Sequence, residues 1–249
     1  MNKYLKSTYM PLVALGAGVL TMILRFILLS TGEDDKGLLE TGSFPDVLSW
    51  LISVAVMVVL ALGTWNLREA SKFSFNFPAS PVGAVGILAA ALGILVTSLS
   101  ELFAWSDALN IVGSFLGLLA VPALVLVALC RYQGQRPSVL LHGVVCLYLM
   151  LHLVSHYRLW SSCPQIQSYG FELLSIVCLM LACYHRATFD AEAGNRRSYA
   201  FCALAAVYFS IATLPGCDSP LFFIGCALWM LTNLCNLKSL PARHIKREA

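Results

Sequence analysis

The sequence predicts an all-α, polytopic integral membrane protein with eight transmembrane helices. Three observations lead there. The 249 residues are 59% hydrophobic and only 12% charged, whereas soluble domains average about 45–50% apolar and about 25% charged. The apolar residues fall into long continuous runs parted by short polar connections. The basic residues gather in alternate connections. With a mean hydropathy of +0.78, a single soluble core could not hold so much apolar surface, but a lipid-facing exterior accommodates it. The basic residues form no stripe with interleaved aromatics, so nucleic acid is not an expected partner.

A bilayer core of about 30 Å needs about 20 apolar helical residues per crossing. The runs Met10–Ser30, Asp46–Trp65, Pro81–Leu102, Ala108–Cys130, Ser138–Tyr157, Ser168–His185, Ser198–Leu214 and Pro220–Leu237 meet that need, the last two being the shortest. They are too continuously apolar for barrel strands, which alternate, so only helices satisfy their backbone in lipid. The first run follows Lys3 and Lys6 as a signal peptide would. It is too long for an h-region, and no small-residue cleavage site follows it. It is expected to remain as a helix, and the whole chain to form one membrane domain, residues 1–249.

Orientation follows from charge. With the N-terminus in the cytoplasm, 13 of the 16 basic residues fall in inner segments and 9 of the 13 acidic residues lie at or near the outer face. This is the positive-inside pattern. An even number of helices returns the basic tail RHIKRE to the same side, so both termini are expected in the cytoplasm, at the cell membrane. Thr31–Pro45 becomes the longest outer loop, with an apolar Gly37-Leu38-Leu39 patch that dips toward the membrane. Asn66–Ser80 and Arg186–Arg197 become solvated inner turns.

Weak internal similarity suggests two four-helix halves in tandem. Arg25-Phe-Ile-Leu-Leu-Ser30 ends helix one, and Arg158-Leu-Trp-Ser-Ser-Cys163 follows helix five. Asp107 opens helix four, and Asp218 precedes helix eight. An even split of this kind would relate the halves by an axis along the membrane normal.

The stretch Leu24-Arg25-Phe26, then Asp34-Asp35-Lys36-Gly37-Leu38-Leu39 and Gly42, resembles a family of uncharacterised multi-spanning membrane proteins from anaerobic Gram-positive bacteria. The likeness is distinct over the first fifth of the chain. Asp35 stands where that family usually has Glu, and Ser43-Phe44 stands in place of its usual His. The resemblance implies a bacterial cytoplasmic membrane and brings no activity with it.

Ionisable residues inside a membrane are costly and are functional candidates by default. Arg25 sits about five residues, or ~8 Å, inside the outer end of helix one. Glu101 ends helix three, and Glu172 lies in the first turn of helix six. His152 and His156, four apart, share one face of helix five. Together these five residues would line an outward-facing polar pocket. Two imidazoles at this spacing with a nearby carboxylate suit a divalent metal such as zinc. The plainer alternative is that the histidines hydrogen-bond to a neighbouring helix. For Arg25 the plainer role is an ion pair that fixes helix packing. His142 falls near the inner end and is expected to stand alone. Cys163 and Cys217 fall in outer connections, where a disulfide is compartment-compatible. The pairs Ala14-x-x-x-Gly18 and Gly113-x-x-x-Gly117 read as close-packing positions.

There is no phosphate-binding loop, nucleophile elbow or dinucleotide fingerprint, and no catalytic residue stands out. The leading expectation is small-molecule binding or transport through the outer pocket, with the lipid bilayer, a small polar ligand or a partner subunit as partners. A membrane-embedded enzyme, metal-dependent or not, is the first alternative. A structural or sensory protein without small-molecule chemistry is the second. No cofactor is required, apart from that divalent metal.

Overall fold

The computed structural model describes residues 3–31, 44–104, 108–161 and 169–238, with side chains in the first helix from Tyr9 to Ser30. Among them are nine helices and no strand: α1 (Lys3–Thr31), α2 (Phe44–Trp65), α3 (Phe73–Asn76), α4 (Pro81–Ala104), α5 (Ala108–Gln133), α6 (Val139–Trp160), α7 (Gly170–Asp190), α8 (Arg196–Ala212) and α9 (Pro220–Cys235). The eight expected runs reappear as α1, α2 and α4 to α9, with ends shifted by a few residues. The turn-like α3 was not expected. The outer-loop patch, Trp105, Asp107, Cys163 and the basic tail lie outside the described residues.

Six of the helices (α1, α2 and α4 to α7) are long and apolar enough to cross a membrane. Their outward faces carry large apolar side chains in the open, such as Leu51, Val54, Val58 and Leu62 on α2 and Phe115, Leu119 and Leu126 on α5. Monomeric soluble proteins rarely expose such continuous apolar surface, and lipid is the solvent it suits. Besides the four-residue α3, the remaining two helices are shorter. At 1.5 Å per residue, α8 reaches about 26 Å and α9 about 24 Å.

The helices α4, α5, α6, α7, α8 and α9 pack each against the next, and α9 returns to α4, closing a six-helix ring. The α1–α2 pair lies outside that ring, docked on α8. Not one residue of α8 is exposed. Its alanines Ala200, Ala203, Ala205, Ala206 and Ala212 let α1, α2, α7 and α9 approach it from all sides, as a helix buried all round requires. Tyr208 at its centre bonds to Thr21 of α1 (2.9 Å) and Ser53 of α2 (2.8 Å), so one hydroxyl ties the outer pair to the ring. The α4–α9 seam is tightest. A Cβ on Gly225 would stand 2.5 Å from Ala89 O, and one on Gly93 2.6 Å from Leu221 O. Only glycine permits that backbone approach, as in small-residue membrane interfaces. Of the predicted packing pairs, Ala14, Gly18 and Gly117 do lie against neighbouring helices, whereas Gly113 is buried but an added Cβ there would meet nothing within 4 Å.

The ring is at odds with two tandem halves. In the first half, α1–α2 sits outside the ring and does not pack substantially on α4. In the second half, the corresponding α6–α7 pair forms part of the ring, and α7 packs extensively on α8.

The two connections expected as solvated inner turns, Asn66–Ser80 and Arg186–Arg197, are partly buried rather than fully solvated. In Asn66–Ser80, residues Ala70, Phe73, Asn76, Phe77 and Ser80 are buried. The run Phe73-Ser-Phe75-Asn76-Phe77 folds as α3 and turns Phe77 into the end of the ring. There it meets Phe189 (5.3 Å) and Tyr199 (5.5 Å) edge-on. Asn76 pins the loop by donating to Ala70 O and Lys72 O. In Arg186–Arg197, α7 continues five residues past its expected end, to Asp190, and buries Arg186 and Asp190. Asn195 then caps α8, its Oδ1 accepting from Arg197 N and Ser198 N, the usual use of Asn at this position.

Candidate functional site

On α6, His142, Val145, Leu149, His152 and His156 recur at spacings of three and four. That spacing places all three histidines on one helix face, and the face turns into the ring. His142 and His152 are ten residues apart, or about 15 Å along the axis. Two separate polar clusters result, one at each end of the ring.

The first cluster lies at the Glu101 end. Glu101, from the last turn of α4, puts Oε1 3.3 Å from His152 Nδ1 and 3.3 Å from His156 Nε2. His152 is buried and His156 is 12% exposed at its side chain. Each of the three residues offers a ligand atom within 4.8 Å of the others. α5 supports the carboxylate. Ser114 donates to Asn110 O (2.7 Å) and lies 3.4 Å from Glu101 Oε2, while Ser155 of α6 donates to Asn110 Oδ1. Aromatic rings fix the imidazoles. His152 stacks on Tyr148 (5.5 Å) and meets Phe222 of α9 (5.1 Å), and His156 packs on Trp160 (4.9 Å).

Glu172 joins from α7. Trp160 stacks on Tyr169, the residue before α7, at 4.9 Å. The two helices run antiparallel, since Cys146 meets Met180 and His142 meets Cys183 further along. Glu172, one turn into α7, therefore comes alongside His156, one turn before Trp160. It is buried, and within electrostatic reach of His156, Asp218 and Arg25. Arg25 is on the outer pair, its guanidinium 4.5 Å above the Phe171 ring. Of the five expected pocket residues, then, Glu101, His152 and His156 touch, Glu172 adjoins them, and Arg25 lies within electrostatic reach of Glu172. Arg158 is exposed and off the buried face.

Cys217, in the connection before α9, donates to Leu214 O. Burial pushes its thiol up to about 11, with the Glu172 carboxylate adding to the shift. Its expected pairing with Cys163 lies outside the described residues, as Cys163 does.

The second cluster lies at the opposite, basic end. His142 does not stand alone. Its Nδ1 is 2.7 Å from Asp190 Oδ2, and both side chains are fully buried. The ring is turned so that neither atom makes a well-aligned hydrogen bond. Arg186 Nη1 donates to Asp190 Oδ1 at 3.0 Å, an i,i+4 pair on α7. The Arg186 guanidinium covers the Phe77 ring at 3.9 Å and the Phe73 ring at 4.9 Å. Arg131, at the end of α5, lies 5.2 Å from the Phe77 ring centre. Its Nη1 donates to Pro78 O, and its carbonyl accepts from Ser80 N. The sequence places Arg186 and Asp190 in a solvated turn, whereas the structure buries both, and Arg131 with them. Two signals were present: the i,i+4 spacing of Arg186 and Asp190, and three phenylalanines within one supposed turn.

Between the clusters the ring is filled by side chains. Val145, Tyr148, Leu149, Leu179 and Cys226 fill it and are buried.

Comparison with family models, with curated proteins and with solved structures gives no match to this chain. The functional reading therefore rests on the geometry.

Proposed function

We propose that the chain is an eight-span membrane protein that binds a divalent metal of the zinc class in an outward-opening site, with Glu101, His152 and His156 as ligands. The spacing of these groups is the observation that carries the proposal. Around a tetrahedral ion with bonds of about 2.0–2.1 Å, ligand atoms stand about 3.3–3.4 Å apart. Glu101 Oε1 stands 3.3 Å from both imidazole nitrogens. Charge-assisted hydrogen bonds between such groups are shorter, about 2.7–2.9 Å. Two histidines and one carboxylate leave a fourth position open. The metal would supply charge there to a small polar or anionic ligand, and Glu172 and Arg25 would form the far wall of the pocket.

Eight spans fit the basic residues, which then collect on the cytoplasmic side with both termini. The short α8 and α9 are consistent with this. Helices packed inside a bundle meet protein along much of their length, and need not match the full hydrocarbon thickness. The layer of buried side chains between the clusters, with Val145, Leu149 and Leu179 among them, favours a binding site closed to the cytoplasm over a continuous channel.

The test is metal analysis of protein purified in detergent and dialysed against zinc, with unbound metal removed. One equivalent should remain on the wild type, none on His152→Ala, and zinc should raise the thermal midpoint of the wild type only. A wild type that retains no zinc, and is not stabilised by zinc, cobalt or manganese, ends the proposal.

A further inference from the structure

The basic end buries three arginines, Arg131, Arg186 and Arg196. Among the described residues, Asp190 is the one buried carboxylate there, and Arg186 and His142 already occupy it. The rim carboxylates are taken as well, Glu192 by Arg136 at 2.9 Å and Glu69 by Arg197 at 3.1 Å. Arg196 Nη2 donates to Lys238 O. Arg131 is the least compensated. It is 1% exposed, and only Nη1 has an acceptor, Pro78 O. Among the described residues, its Nε and Nη2 are buried without a partner. Buried polar groups in native proteins are nearly always satisfied, and an exception points to a water or ion. The Phe77 ring face recovers only part of what burying a lone cation costs. Water would satisfy the two N–H groups and leave the charge.

The place where this guanidinium points is itself positive. Gly83 is in the first turn of the 24-residue α4. A Cβ there would stand 3.0 Å from Arg131 Nε and 3.4 Å from Ser80 Oγ. A helix start carries roughly half a positive charge and attracts anions. Arg131 springs from the last turn of α5, which suits a cation at its base, but its head lies against the wrong end of α4. Ser80 Oγ accepts from Gly83 N (3.0 Å) and keeps its own proton to donate. Gly134, at φ +71°, ends α5 and lets Ala79 close against it, holding this joint together.

We propose that Arg131, Ser80 and the first turn of α4 form a binding site for a phosphate-class oxyanion at the basic end of the ring. Free phosphate and the phosphate of an anionic lipid headgroup share the chemistry that this site reads. Basic pockets between helices near the cytoplasmic surface commonly take such headgroups. The site is independent of the metal site at the other end.

The full chain in neutral detergent is heated with increasing inorganic phosphate and, separately, with chloride at matched ionic strength. A parallel series uses nanodiscs of phosphatidylcholine with and without phosphatidylglycerol. Phosphate, or phosphatidylglycerol if the source is lipid, raises the midpoint saturably, and Arg131→Gln abolishes the shift. Gly83→Ala keeps every charge but fills the space beside Nε. It should weaken the response at least tenfold, and it decides alone if Arg131→Gln does not fold. The proposal is overturned if neither phosphate nor phosphatidylglycerol exceeds its control. It is equally overturned if Gly83→Ala responds as the wild type does.

Discussion

The two ends of the ring use the same residue types for different purposes. At the basic end, His142 and Asp190 are fully buried 2.7 Å apart, and Arg186 holds the second carboxylate oxygen. At the other end, Glu101 faces two imidazoles at 3.3 Å and remains 18% exposed, with His156 12% exposed. The first arrangement is a locked ion pair. The second has a carboxylate and two nitrogens at longer range, with a way out. Burial and spacing, rather than residue identity, separate a packing device from a site.

The largest expected effect breaks the locked end. Asp190→Ala strands Arg186 and removes the group facing His142. Breaking a buried pair from one side costs about 3–5 kcal/mol. Reversible unfolding in detergent should show a loss of that size with zinc retention intact in the folded fraction. A loss under about 1 kcal/mol would mean that the basic end is not what holds the ring together.

Glu101→Gln should do the reverse. Zinc affinity should fall about 100-fold or more, because even an outer partner of a ligand is worth about 10–100-fold. That is a binding loss of about 2.7 kcal/mol, measurable by competition with a chelator. Unfolding without metal should move by about 1 kcal/mol or less, since a partly exposed pair contributes little. A large loss of stability without metal would make Glu101 a second packing device and erase the contrast.

Tyr208→Phe tests whether the site belongs to the ring alone. It removes the bonds to Thr21 and Ser53. Such interhelical bonds average about 0.6 kcal/mol each, so the expected cost is about 1 kcal/mol. Zinc retention should not change, because no ligand lies on α1 or α2.

The helices were legible because lipid imposes a length and an apolar composition on every crossing, and those survive in the bare sequence. The Glu101–His152–His156 set was partly legible too. The expected topology puts the i,i+4 histidines and the end of α4 on one side, although nothing in the chain says that α4 and α6 meet across α5. What stayed hidden depends on tertiary burial. Arg186 and Asp190 read as loop charges until α7 runs on past His185. Phe77 reads as a loop aromatic until it closes the ring. His142 was misjudged because its partner lies 48 residues away on another helix. Its membership of the same α6 face as His152 was there to be counted.

The smallest effect probes the neighbour that links Arg25 to the histidines. Cys217 lies outside the helices, and its thiol is raised to about 11 by burial first and by the Glu172 carboxylate second. Only the thiolate alkylates. Labelling of Cys217 by a neutral haloacetamide, followed by peptide mass spectrometry, should therefore be slow at pH 7. It should climb about tenfold per unit toward pH 10, where an ordinary thiol of pKa near 8.5 has already levelled off. Glu172→Gln removes a negative charge that opposes thiolate formation. It should lower the thiol's pKa and speed labelling a few-fold at pH 8 without altering the burial contribution. An unchanged rate would place no ionised carboxylate beside Cys217. The pocket wall would then lose Glu172, which lies between Arg25 and His156 in electrostatic reach of both.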